Sequence, residues 1–225
     1  MNHAFWDHIS CVVTKEEVLK RMGMPVDHMY GKYIDEMIEA SKDIVNPKAT
    51  YRVYAVEEKT GVSVTIGGKV FTSKTLSEKL KNIDQVYAYL CTCGKEIADF
   101  SEAQGDIIKE LALDGIMNIY LRKAAIYMTE QLDNALGGQT ACVSPGSFED
   151  WPLAAQHELF ALLGDDVAKT GIELTESGIM YPVKSISGFR FKAEQADHDC
   201  RLCLKRDCLE RSGDFDPEFY EAGLC

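Results

Sequence analysis

Gln85-Val86-Tyr87-Ala88-Tyr89-Leu90-Cys91 is an apolar and aromatic run that ends at Thr92-Cys93-Gly94. It reads as a buried β-strand closed by a turn. Downstream comes the longest periodic segment of the chain, Asp106 to about Leu136. Ile107, Leu111, Ile116, Ile119, Tyr120, Ala124, Tyr127 and Leu132 fall on or near one stripe there, which predicts a long central helix ended by Gly137-Gly138. A buried strand followed by a long helix already points to a mixed fold. Upstream, the pattern changes period at Thr50. Tyr51, Val53 and Ala55 alternate with Arg52, Tyr54 and Val56, and Val62, Val64 and Ile66 follow Lys59-Thr60-Gly61, predicting paired strands that turn at Gly67-Gly68 into Val70-Phe71.

The flanks complete the pattern. Thr14-Lys15-Glu16-Glu17 has the form of a capping box before Val18, Leu19 and Met22, predicting a short helix that ends at Gly23. Asp27 is the predicted cap of a second helix carrying Met29, Tyr33, Met37, Ile38 and Ile44, stopped by Asn46-Pro47. Leu76, Leu80 and Ile83 suggest another short helix. After the long helix, Thr140–Val143 is a candidate strand leading into Ser144-Pro145-Gly146, and a helix is expected from about Pro152 to Leu163, closed by Gly164. Two strands, Ile172–Glu176 and Lys184–Phe191, should then be joined by a turn through Ser177-Gly178 and Pro182. Interspersed helices and strands of this kind make an α+β body over 1–193. The composition shifts to charge and cysteine in an appendage over 194–225.

Length and charge bound the function. The chain has 225 residues, 46% of them apolar and 27% charged, so it can build a substantial core. Its net charge of −12 repels phosphate backbones and anionic headgroups, which argues against nucleic-acid and membrane-surface partners. Trp6, Asp7 and His8 interrupt the N-terminus where a secretory leader needs an apolar run. Asp114, Arg122 and Lys123 break the most apolar stretch, Leu111–Met128, below what a membrane span requires. The expectation is a cytoplasmic protein whose eight cysteines are thiols, ligands or core residues.

Spacing sorts those cysteines. His198-Asp199-Cys200-Arg201-Leu202-Cys203, followed by Cys208, contains a C-x2-C turn that lets two thiolates converge on one ion while Cys208 brings a third. His198 or Cys225 is the candidate fourth ligand. Soft sulfur ligation selects zinc or an iron–sulfur cluster. Cys91 and Cys93 lack a chelating reverse turn and read as buried residues, as do Cys11 and Cys142.

Two further segments are candidates for ligand contact, the second of them denser in small polar residues than a strand pair needs. In Ser144-Pro145-Gly146-Ser147-Phe148, glycine permits close approach of a ligand, and exposed amides can hold a carboxylate. Leu174-Thr175-Glu176-Ser177 precedes Met180, Pro182, Ser185, Ser187 and Gly188. No Ser/His/Asp order, Walker loop or dinucleotide G-x-G-x-x-G is present, and His157 reads as a surface residue.

The order of Ser144-Pro145-Gly146, Trp151-Pro152-Leu153, Gln156, Leu159-Phe160, Leu162-Leu163, Gly171 to Ser177, Met180, Pro182 and Ser185-Ile186-Ser187-Gly188 resembles the activation domain of cobalamin-dependent methionine synthase. Cys93-Gly94-Lys95-Glu96-Ile97 and the helix after it look more loosely like the same family. The resemblance implies a twisted antiparallel sheet flanked by helices, in a stand-alone form of a module usually joined to a larger enzyme of methionine biosynthesis. It further implies binding of S-adenosylmethionine in a shallow groove, docking over cobalamin presented by a partner, and repair of oxidised cob(II)alamin by reductive methylation. The implied partners are a corrinoid-binding methyltransferase or methionine synthase and a flavodoxin or ferredoxin. By position, Ser144, Pro145, Gly146, Ser147 and Phe148 would hold the methionine end of the ligand, with Thr175, Glu176, Ser177 and Ser187 supporting the groove. Where the family carries an arginine before the Pro-Gly pair and a tyrosine after it, this chain has Cys142 and Ser147. Two other readings stay open: a non-enzymatic module that binds or chaperones a corrinoid protein and has a metal-stabilised tail, and a redox protein whose tail holds an iron–sulfur cluster.

Overall fold

Seven strands form one antiparallel sheet. Its order is β4 (Lys69–Thr72), β3 (Ser63–Ile66), β2 (Lys48–Lys59), β5 (Gln85–Thr92), β9 (Ser185–Lys192) and β6 (Thr140–Val143), with β1 (His3–Trp6) added to β2. The structure, a computed structural model, describes residues 2–193. Strand β5 is buried from Val86 to Thr92 because β2 and β9 pair with it on either side and both of its faces are covered. Alternation then divides its side chains. Val86, Ala88 and Leu90 join a core with α6 (Gln156–Leu163), while Tyr87, Tyr89 and Cys91 face the long helix α5 (Ile107–Leu136).

Helix α5 serves two cores along its 30 residues. Asp106 caps it, its carboxylate accepting from the amides of Ile108 and Lys109 at 2.9 and 3.3 Å. The N-terminal half, from Ala112 to Tyr120, packs with α1 (Lys15–Arg21), α2 (Gly31–Ser41) and α4 (Lys95–Glu102). The C-terminal half lays Ala124, Met128 and Leu132, spaced four apart, on the tyrosine face of the sheet. The capping box at Thr14 and Glu17 is formed. Among the described residues no helix is long and apolar enough to cross a membrane.

Three expectations are corrected. Helix α2 starts at Gly31 with Tyr30 as its cap, because Asp27 sits in a preceding turn where the His28 amide already bonds the Pro25 carbonyl at 3.0 Å. Ile172–Glu176 and Lys184–Phe191 are not paired strands. The short strand β7 (Glu173–Leu174) pairs with β8 (Met180–Tyr181), and β9 enters the main sheet between β5 and β6, where its own alternation finds two cores. Strand β1, helix α4 and helix α7 (Asp165–Thr170) also stand where no element was expected.

One buried carboxylate ties the left half of the sheet to α7. The Asp166 side chain is fully buried and meets Arg52 Nε at 2.8 Å, Lys169 Nζ at 2.8 Å and His3 Nε2 at 2.7 Å. Burial opposes ionisation, but hydrogen bonds from Arg52 and Lys169 and the field of the Arg52 guanidinium outweigh it. They hold the carboxyl down at about 2. The contribution is therefore complete above the ordinary carboxylate range and is lost as pH falls toward 2. Asp166→Asn is expected to lower unfolding free energy by roughly 1–3 kcal/mol at pH 7, discounted for the partial exposure of its partners. Denaturant melts should show the gap between variant and wild type closing as pH drops below about 4.

Candidate functional site

Strand β6 lies at the sheet edge and delivers the chain into Ser144–Phe148. Gly146 takes φ of +84°, open to glycine at little cost, and its amide donates to the Trp151 carbonyl at 2.8 Å. The Ser147 amide bonds the Ser144 carbonyl at 3.0 Å, and the Trp151 amide bonds the Phe148 carbonyl at 3.1 Å. The loop is thus closed on itself, with the amides of Gly146 and Ser147 committed internally. Trp151 anchors it, fully buried and stacked on Phe189 at 6.1 Å and on Phe148 at 6.4 Å. Among the described residues the Trp151 Nε1–H has no acceptor. Lys79 Nζ sits 5.3 Å from the centre of the Phe148 ring. Asp150 moors the loop to α3 (Lys74–Lys79) by accepting from Ser73 Oγ and the Thr75 amide, each at 2.9 Å.

The second segment is the tip of the β7–β8 hairpin. The Thr175 amide donates to the Ile179 carbonyl, the Gly178 amide to the Thr175 carbonyl, and the Ile179 amide to Thr175 Oγ1, all at 2.9 Å. Ser177 Oγ lies 3.1 Å from the same hydroxyl. Thr175 and Ser177 therefore build the tip, and Glu176 projects from it, exposed, with its carbonyl 3.1 Å from His157 Nε2. His157 is exposed, as the sequence reading has it.

Both segments lie against a 3-10 turn, Leu153–Ala155. A methyl on Gly178 would stand 2.6 Å from the Leu153 carbonyl oxygen, and one on Gly146 would stand 3.5 Å from Leu153 Cδ1. Leu153 and Ile179 remain exposed between them, an apolar rim between polar tips. Ser187 is buried beneath. Its hydroxyl donates to Gln156 Oε1 at 2.8 Å, and Gln156 Nε2 donates to the Gly178 carbonyl at 3.0 Å. Ser187 thus positions the hairpin from inside the sheet rather than facing solvent.

Sequence reasoning passed over Tyr89 and Arg190. The Tyr89 hydroxyl lies 3.5 Å from Ser144 Oγ, and burial raises its pKa. Arg190 is buried on β9 in register with Cys142, its guanidinium 5.7 Å from the Tyr89 ring centre. Its Nη1 donates to Thr140 Oγ1 at 3.1 Å, and that hydroxyl donates to Asp133 Oδ1 at 2.7 Å. The only signal in the sequence was a charge inside an apolar strand pattern.

Cys91 and Cys93 are buried in separate clusters, and burial pushes each thiol up to about 12. Burial thus favours the protonated thiol at both positions at neutral pH. Among the described residues no group of His, Cys, Asp and Glu is placed to hold a metal ion. The candidate ligands His198, Cys200, Cys203 and Cys208 lie outside the described residues.

Gln156→Met should break both hydrogen bonds of the Ser187–Gln156–Gly178 chain while keeping most of the side-chain volume. The expected cost is about 1–3 kcal/mol. Hydrogen exchange should show the Gly178 and Ile179 amides losing protection before those of β5.

No protein-family model matches the sequence, and no curated protein sequence matches it. A solved structure does: "Crystal Structure of the MetH Reactivation Domain bound to AdoHcy" superposes with a TM-score of 0.62 at 16% identity, covering 86% of this chain and 80% of that one. This chain therefore has the fold of the MetH reactivation domain, in which an antiparallel sheet packs against one long helix.

Proposed function

We propose that the protein reactivates a corrinoid-dependent methyltransferase of the methionine synthase type by presenting S-adenosylmethionine to cobalamin carried by that partner. The observation that carries this reading is the convergence of Ser144–Phe148 and Thr175–Ser177 across Leu153, in a fold whose solved relative was crystallised with AdoHcy. The reaction adds one electron, from a flavodoxin or ferredoxin, to cob(II)alamin. The resulting Co(I) lone pair displaces the sulfonium methyl, so that a Co–C bond forms, the S–CH3 bond breaks with its electrons on sulfur, and S-adenosylhomocysteine leaves. No proton moves in this step.

The work of this chain is positioning. Ser144 and Ser147 offer hydroxyls on one side, and Thr175 and Ser177 offer them on the other. Phe148 and Trp151 hold the loop rigid under the ligand. Leu153 and Ile179, with Val183 nearby in sequence, are exposed apolar side chains suited to a flat organic macrocycle brought by a second protein.

Calorimetric titration with S-adenosylmethionine and S-adenosylhomocysteine tests the first step. Saturable binding is expected, and no heat with no thermal shift at millimolar ligand would remove the reading. With a reduced flavodoxin and a cob(II)alamin-loaded methionine synthase, the visible spectrum should change to that of methylcobalamin. Retained association with the corrinoid protein without ligand binding would instead support a non-enzymatic docking module.

The segment bearing His198, Cys200, Cys203 and Cys208 is proposed, on spacing alone, as a separate site for zinc or an iron–sulfur cluster. Anaerobically purified protein should contain the metal, and Cys203→Ser should lose it. Unchanged metal content in that variant would exclude this ligand set.

A further inference from the structure

Strands β7 and β8 have two residues each, and a hairpin this short has little stability of its own. Its tip is aimed by Gln156, and its base is gripped by helix α4. Glu173 and Tyr181 are register partners across the hairpin. Lys95 reaches both: its Nζ lies 3.5 Å from Glu173 Oε1 and 4.5 Å from the centre of the Tyr181 ring. One side chain of α4 therefore touches both strands at a single rung. Asp99, one helical turn on from Lys95, completes the cluster. Its Oδ1 accepts from the Tyr181 hydroxyl at 2.8 Å and stands 3.6 Å from Lys95 Nζ. Burial and the Asp99 and Glu102 carboxylates raise the Tyr181 pKa, so the hydroxyl keeps its proton and remains the donor.

Close approaches of the backbone set this cluster in place. Gly94 starts α4 with φ of +101°, where a methyl would stand 2.5 Å from the Asn46 carbonyl oxygen. Lys95 thus projects from a fixed point. A methyl on Gly171, shortly before β7, would stand 3.7 Å from Lys95 Cβ, which puts the entering chain beside the lysine stem. The departing chain is tied down as well. The Cys93 amide donates to the Lys184 carbonyl at 3.1 Å, and Lys184 Nζ pairs with Asp114 of α5 at 2.7 Å. Tyr181 itself packs against the core shared by α1, α2, α4 and the N-terminal half of α5. With both ends of the hairpin anchored, Lys95 governs its tilt between them.

We propose that Lys95 is a positioning residue for the ligand groove: from the first turn of α4 it latches both strands of the β7–β8 hairpin and sets where the Thr175–Ser177 tip stands. This rests on the reading that the tip forms one wall of an S-adenosylmethionine site. It deepens that reading by naming a residue of the helical part of the fold, outside both candidate segments, that holds the wall in register.

Calorimetry with S-adenosylhomocysteine, paired with hydrogen exchange, tests the latch. Lys95→Met keeps most of the stem beside Gly171 but removes the ammonium. Affinity should fall roughly three- to tenfold, the scale of a cation–π contact with two partly exposed ion pairs. Exchange at the Thr175 and Ile179 amides should quicken while β5 stays protected. Lys95→Arg, which keeps a cation over the ring, should restore both, and Tyr181→Phe, which keeps the ring but loses the bond to Asp99, should fall between. Unchanged affinity and exchange in Lys95→Met, or a loss that Lys95→Arg leaves unrepaired, would overturn the proposal. Wild type that binds no S-adenosylhomocysteine would instead sink the underlying reading, and the exchange comparison would still decide the latch. Should the variants fail to fold, salt serves in their place. The Lys95 side chain is 37% exposed, so sodium chloride should screen its pairs and speed exchange at Thr175 and Ile179 in wild type, with β5 unaffected. Tip amides indifferent to salt would refute the proposal.

Discussion

Strand β9 can hold the candidate site together because both of its faces are buried and its side chains alternate. Within four consecutive residues, Ser187 reaches through Gln156 to the hairpin tip, and Gly188 lets the end of β6 cross at close range. Phe189 stacks on the tryptophan that anchors the Ser144 loop, and Arg190 points the other way, among Tyr89 and Thr140. A slip of one residue in the β5–β9 register would exchange these faces, placing a guanidinium against Trp151 and an aromatic ring against α5. The register is thus specified by the chemistry of the two cores, and the site inherits its geometry from it.

The loops depend on the sheet more than on themselves. The Ser144–Phe148 loop bonds its own amides, yet its position comes from Trp151 in the core and from Asp150 at the start of α3. The hairpin tip likewise closes on Thr175 but is aimed by Gln156. Rigid supports of this kind suit a function in which holding a methyl group in line contributes more than proton transfer. Elsewhere in the fold, Asp166 pairs with Arg52 and Lys169 and meets the His3 ring, locking β1, β2 and α7 in place.

Much of the candidate site could be read from residue order. Ser144–Phe148 and Thr175–Ser177 were candidate ligand segments in the sequence, and the structure sets Gly146 of the one and Gly178, next to the other, against Leu153. Their internal hydrogen bonding was not legible, since the partner of the Gly146 amide is the Trp151 carbonyl five residues on and the choice among nearby acceptors is made by packing. Ser187 was expected at the groove and is found beneath it. Arg190, in cross-strand register with Cys142, was passed over because nothing in residue order places the two side by side.

Local physical signals were sufficient wherever an element is held by its own residues. The Thr14–Glu17 capping box, the Asp106 start of α5, the buried positions it carries from Ala112 to Leu132 and the period-two run of β5 each carry their cause within a few positions. Elements held by distant partners were decided by tertiary structure alone. Helix α7 depends on Arg52 of β2 to neutralise Asp166, and β9 finds its place between β5 and β6 rather than beside its nearest neighbour in sequence. Pairing across more than a hundred residues leaves no local trace, because the free energy that selects it comes from surfaces buried only when the whole sheet has closed.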